Sequence, residues 1–144
     1  MASDHRRRLP LTRRSVTHKF SISGHEGYLT IGLFDDGSPG EVFIKIAKEG
    51  STLSGLVQGF CRAFSLALQY GLSVPDACAR FRGMSFDPMG ATSNPRIPQA
   101  SSILDYVARY LEDFDREHRR LVAESRSRAA DAAMAAAAGG DGGG

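Results

Sequence analysis

The run His18–Gly71, HKFSISGHEGYLTIGLFDDGSPGEVFIKIAKEGSTLSGLVQGFCRAFSLALQYG, decides the fold. Beginning just upstream, Ser15–Ser23 alternates, with Val16, His18, Phe20 and Ile22 on one face and Thr17, Lys19, Ser21 and Ser23 on the other, the period of a half-buried strand. Gly24-His25-Glu26-Gly27 reads as a tight turn bracketed by glycines. Tyr28–Phe34 is a second strand with Leu29, Ile31 and Leu33 on its apolar face. DDGSPG, from Asp35 to Gly40, is made of turn formers, and the strand after it carries Val42, Ile44 and Ile46. These strands predict an antiparallel meander with one apolar face, which must be covered.

The cover follows directly in the chain. Ser51 and Thr52 are suited to cap a helix whose inner stripe is Leu53, Leu56, Val57, Phe60, Phe64, Ala67 and Leu68, with Gly71 as its stop. Gly55 and Gly59 each cost such a helix about 1 kcal/mol relative to Ala. They are read as permitting close approach to a neighbouring element.

Ser73–Phe81 predicts a short helix, capped by Ser73 with Pro75 in its first turn and Ala77, Cys78 and Phe81 on one side. Gly83–Gln99 holds Pro88, Gly90, Pro95 and Pro98 and is expected to cross the surface as an extended loop. Ser101 or Ser102 then caps a second long helix with Ile103, Val107, Tyr110, Leu111 and Phe114 inside. Asp105–Arg109 and Glu112–Arg116 are expected as ion pairs on its outer face. The fold class expected is therefore α+β, a three-stranded antiparallel sheet packed by a long helix, with a second long C-terminal helix.

Domain limits follow from composition. Residues 1–14 are an arginine-rich, Pro-interrupted stretch expected to form a flexible basic arm, 15–122 the domain, and 123–144 a disordered Ala/Gly-rich tail. The net charge of +2 conceals an uneven distribution, because Arg6, Arg7, Arg8, Arg13 and Arg14 stand against Asp4 alone. The remaining residues are 13 basic and 15 acidic, so attraction to nucleic acid would have to come through the arm. No aromatic residue is interleaved there for base stacking. Two cysteines without a CxxC pair, no export signal and no membrane-length apolar run lead to the expectation of a reduced, cytoplasmic protein without membrane contact.

Candidate chemistry is sparse. His18, His25 and Glu26 are the closest group of metal-ligand types, but they are spread between a strand and a turn, so no metal is expected. Cys61 and Cys78 fall on inner helix faces, and no nucleophile with a partner base is evident, so no catalytic residue is assigned. The best binding candidate is the start of the first long helix, where Gly50, Ser51 and Thr52 offer backbone N–H groups and hydroxyls, with Lys48 adding charge. Together with His25 and Glu26 and the Phe86–Pro98 loop, it forms the expected contact surface for an anion, a nucleotide or a protein partner. The full GxxxxGK[ST] phosphate loop is absent.

The pieces THKFSI, GHEGY, DDGSPGE and AKEGST, with LALQYG (Leu66–Gly71), FDPMGATSNPRIPQASSILDY (Phe86–Tyr106) and the pair Tyr110-Leu111, resemble the C-terminal TSCPD domain of adenosylcobalamin-dependent (class II) ribonucleotide reductases. The resemblance runs from about Arg13 to Leu111, and departs from the family's pattern at Gly59, Cys61 and Arg82–Ser85. It implies that the radical-forming thiol, the substrate carboxylates and the cobalamin site belong to a catalytic barrel outside the matching region. Adenosylcobalamin therefore enters by family resemblance only, with no cofactor in this chain. The implied function is a stand-alone accessory module, without catalysis of its own, that binds a protein partner or nucleotide. The alternatives are a component of a split reductase acting in deoxyribonucleotide synthesis with a separate barrel subunit, and a small nucleic-acid-binding protein using the arm.

Overall fold

In the computed structural model, which describes residues 5–47 and 49–139, the meander expected from the alternating pattern is present. Strands β1 (Ser15–Ile22), β2 (His25–Leu33) and β3 (Pro39–Ile46) pair antiparallel in sequential order. The register sets His18 opposite Leu29 and Leu29 opposite Ile44, so the alternate apolar residues share one face. The first turn is tighter than the glycine brackets suggest. It consists of Ser23 and Gly24, both with positive φ (50° and 82°), while His25 and Glu26 belong to β2 and pair with Ile22 and Ser21. A two-residue turn of this handedness matches strand twist, which is why the pairing extends to His25. Gly27 is a strand residue, required because a Cβ there would stand 2.6 Å from the Phe20 ring.

Helix α1 (Ser51–Gln69) packs on the apolar face of the sheet, mainly against β3. Its buried stripe is rotated from the expected one: Cys61, Phe64, Ser65, Leu68 and Gln69 are buried, whereas Leu53 and Leu56 are exposed. Two polar residues explain the rotation, since they bolt the helix to β3 at its start. Ser65 Oγ accepts from Val42 N at 2.9 Å, and Gln69 Nε2 donates to Gly40 O at 2.9 Å. Gly55 and Gly59 face open space, so they serve no close approach within this chain. The cap is Gly50 rather than a hydroxyl residue, with Ser51 and Thr52 exposed inside the first turn.

Helix α2 (Val74–Ala79) is capped by Ser73, whose Oγ accepts from Asp76 N at 3.2 Å. The connection after it is more ordered than a plain surface loop. Its short strands β4 (Gly90–Ala91) and β5 (Gln99–Ala100) pair with each other. It is also stitched to the first hairpin through Ser23 N donating to Ala91 O at 2.8 Å and Ser93 N donating to Ser21 O at 3.2 Å.

Helix α3 (Ile103–Gly139) is capped by Ser102, which accepts from Asp105 N at 3.0 Å. Asp105 is not an outer-face residue but is 1% exposed. Its carboxylate accepts from Gly83 N at 2.7 Å, Ser101 N at 3.0 Å and Arg109 Nε at 3.0 Å. Glu112 pairs with Arg82 at 3.0 Å instead of Arg116, which pairs with Asp113 at 2.9 Å. The helix stays regular through Gly139, although every described residue from Ala123 onward is exposed.

Residues 5–14, expected as a flexible arm, lie along the domain. Arg6 Nε donates to Gln69 Oε1 at 2.7 Å, Arg7 N donates to Gln69 O at 2.8 Å, and the Arg7 guanidinium sits 3.8 Å from the Phe34 ring centroid. Arg13 forms a two-pronged pair with Glu41 at 2.7 and 3.0 Å. Backbone pairing and a guanidinium fork outweigh the entropy that composition alone would favour.

Candidate functional site

The residues singled out from sequence fall in separate regions of the molecule. His25 and Glu26 line a polar surface cavity of about 490 Å³ with Gly24, Ala47 and Glu49. Two carboxylates beside one imidazole make a poor anion host. Gly50, Ser51 and Thr52 form the exposed first turn of α1 without a side-chain cap bond, and Lys48 lies outside the described residues. The His25 side of the expected contact surface is therefore separate in lining and chemistry from the Phe86 side.

Phe86 belongs to an apolar groove of about 170 Å³ lined by residues of β3, the first half of α1, Phe86-Asp87 and Ile103-Leu104. Its rim holds Leu53, Leu56 and Phe86, which are 38%, 68% and 37% exposed. These three side chains are clustered along the groove rather than scattered over the surface. Sequence reasoning placed Leu53 and Leu56 in the core, since helical spacing alone does not say which side of a stripe the sheet will cover.

The third region is a half-buried network around Tyr106 that periodicity did not disclose. Tyr106 is fully buried, and its hydroxyl bonds His18 Nε2 at 2.7 Å and accepts from Asn94 Nδ2 at 3.2 Å. The His18 ring stacks on Tyr110 with centroids 4.2 Å apart, and Phe20 stacks on Tyr106 at 4.9 Å. Burial holds His18 below its usual pKa. His18 is thus a packed histidine, as its strand position implied. Both cysteines are buried: burial raises the Cys61 thiol, and burial with the nearby Glu112 and Asp115 pushes Cys78 up to about 12. Among the described residues no group of His, Cys, Asp and Glu could hold a metal ion.

The arm arginines are largely occupied. Arg6 and Arg13 have the partners given above, and Arg7 also pairs with Asp36 at 3.0 Å. The Asp36 carboxyl lies low, at about 2, because Ser38 donates to it through both hydroxyl and backbone N–H, against an opposing cost of burial, with Arg7 adding to the lowering. No helix among the described residues is long and apolar enough to cross a membrane.

A three-stranded sheet under two long helices, with an apolar groove at one end of the first, defines a small α+β module. Residues 5–115 match the family model described as the TSCPD domain, and the chain belongs to that family. Over 106 residues it is 55% identical to a vitamin B12-dependent ribonucleotide reductase of Rhodopirellula baltica (strain DSM 10527 / NCIMB 13988 / SH1), covering 74% of this chain and 10% of the relative. A vitamin B12-dependent ribonucleotide reductase of Streptantibioticus cattleyicolor is 42% identical over 106 residues, covering 74% of this chain and 18% of that relative. One from Bradyrhizobium diazoefficiens (strain JCM 10833 / BCRC 13528 / IAM 13628 / NBRC 14792 / USDA 110) is 40% identical over 119 residues, covering 78% and 10% respectively. The chain thus spans between a tenth and a fifth of the length of these curated relatives. No solved structure matches it significantly.

Proposed function

We propose that this chain is an accessory module of vitamin B12-dependent ribonucleotide reduction that docks on the catalytic polypeptide and performs no chemistry of its own. The observation that supports it is the uncovered apolar rim of Leu53, Leu56 and Phe86. In the relatives the matching region is a small part of a much longer reductase. The natural occupant of an apolar face on such a segment is the remainder of that polypeptide. Adenosylcobalamin and the reacting groups would then reside on the partner, and the contribution of this chain to deoxyribonucleotide synthesis would be made through contact. The cavity at His25 and Glu26 is a weaker candidate for that contact, because its lining is mostly polar, with Ala47 the one larger apolar residue to reward dehydration.

The test is to mix the chain with a B12-dependent reductase polypeptide truncated to remove its own TSCPD region. Co-elution of the two, with raised reductase turnover on mixing, is the expected outcome. Failure to associate would overturn the reading.

A further inference from the structure

We propose that Arg82, Arg96, Arg109 and Arg116 form a binding site for a diphosphate group. They line a surface cavity of about 450 Å³ whose wall includes Ile97, Pro98 and Gln99. Three parts of the chain supply them: Arg82 follows α2, Arg96 comes from the stitched connection, and Arg109 and Arg116 lie two turns apart on one face of α3.

The carboxylates among them are turned inward and the guanidiniums outward. Asp105, Glu112 and Asp113 have side chains only 2%, 15% and 25% exposed, whereas Arg109, Arg82, Arg96 and Arg116 are 45%, 50%, 72% and 70% exposed. Each arginine is oriented by a single nitrogen: Arg82 on Glu112 at 3.0 Å, Arg109 on Asp105 at 3.0 Å, Arg116 on Asp113 at 2.9 Å and Arg96 on the same Asp113 at 3.7 Å. The other guanidinium N–H groups remain to donate.

Four guanidiniums face two carboxylates in the wall, and counting the buried Asp105 still leaves one positive charge in excess. Glu117, which also feels Arg96, is paired with Arg120 at 2.6 Å. Asp113 meets Arg116 through Oδ1 and Arg96 through Oδ2, one negative charge between two guanidiniums, so Arg96, at 3.7 Å, and Arg116 gain most from an incoming anion. Guanidinium forks suit phosphoryl oxygens, and holding the side chains in place beforehand lowers the entropy lost on binding. A compact multivalent anion fits donors converging from several elements, and a diphosphate group, free or esterified, provides it. The proposal stands apart from the docking groove.

Calorimetric titration of the full chain at about 0.15 M salt, where exposed long-range attraction is screened, tests it. Inorganic pyrophosphate represents the free group, ADP the esterified one, and adenosine its unphosphorylated control. Pyrophosphate and ADP should both bind and adenosine should not; ADP binding without pyrophosphate would overturn recognition of the diphosphate itself. The double variant Arg96→Gln/Arg116→Gln should weaken binding by about tenfold or more, the loss of charge-assisted contacts, while thermal melting is unchanged. Arg126→Gln/Arg128→Gln removes the same charge from the exposed part of α3 and should leave affinity within about twofold. No heat with millimolar pyrophosphate, or equal weakening in both variants, would overturn the proposal.

Discussion

The two halves of α1 are built to different ends. From Cys61 to Gln69 the helix is fixed, with Phe64 and Leu68 each 6% exposed and Ser65 and Gln69 bonded to the backbone of β3. From Ser51 to Phe60 it carries apolar residues that the chain leaves partly or wholly uncovered, together with two glycines whose faces meet nothing. A single helical stripe therefore divides into a structural segment and a presented one. Helix α3 repeats the division, being buried through Asp115 and wholly exposed from Ala123. The difference teaches that hydrophobic periodicity identifies a helix without saying how far along it the core extends.

The largest expected effect comes from truncation in the fixed half. Phe64→Ala, which removes one ring of the Phe60–Phe64–Phe81 cluster, should cost about 3–5 kcal/mol in denaturant unfolding, whereas Leu56→Ala should change stability by no more than about 0.5 kcal/mol. Similar costs for the two would erase the distinction.

Asp105→Ala should cost about 2–3 kcal/mol, since it leaves the Gly83 and Ser101 amides and Arg109 without their charged acceptor. Burial alone would raise the Asp105 pKa, but those amides and Arg109 outweigh it and hold it below the ordinary value. Its stabilisation is therefore present above the unfolded carboxyl pKa and is lost as pH falls through the folded one. The Asp105→Asn variant should accordingly show a flatter acid limb in a plot of stability against pH.

Tyr106→Phe should cost about 1–3 kcal/mol, because His18 Nε2 and Asn94 Nδ2 both lose their partner inside the domain. The smallest effect has the opposite sign. Gly59→Ala should raise stability by about 1 kcal/mol, as the new Cβ meets no neighbour. A loss of stability there would mean that this half of α1 is packed after all.

The sheet, both long helices and the Ser73-capped helix were legible because strand alternation, turn residues and caps act locally. The register of α1 was not, since it is set by Ser65 and Gln69 reaching the β3 backbone, and polar residues carry no weight in an apolar stripe. Tyr106 was overlooked for the same reason: its ring belongs with Ile103, Val107 and Tyr110, but its hydroxyl needed His18 and Asn94, both far away in sequence. Asp105 resembled a solvent-exposed partner of Arg109 because nothing in the spacing places Gly83 above it. Of the candidate site, the long connection that carries Phe86 was legible, while the meeting of Phe86 with Leu53 and Leu56 depended on where that connection is stitched down.

The presented half of α1 is tested most directly by hydrogen exchange on the chain alone and mixed with the truncated reductase polypeptide. Slower exchange of amides in Leu53–Phe60 and around Phe86 on mixing, abolished by Leu56→Asp without a change in melting temperature, is the predicted result. A complex that forms while leaving those amides unchanged, or that is indifferent to Leu56→Asp, would contradict it.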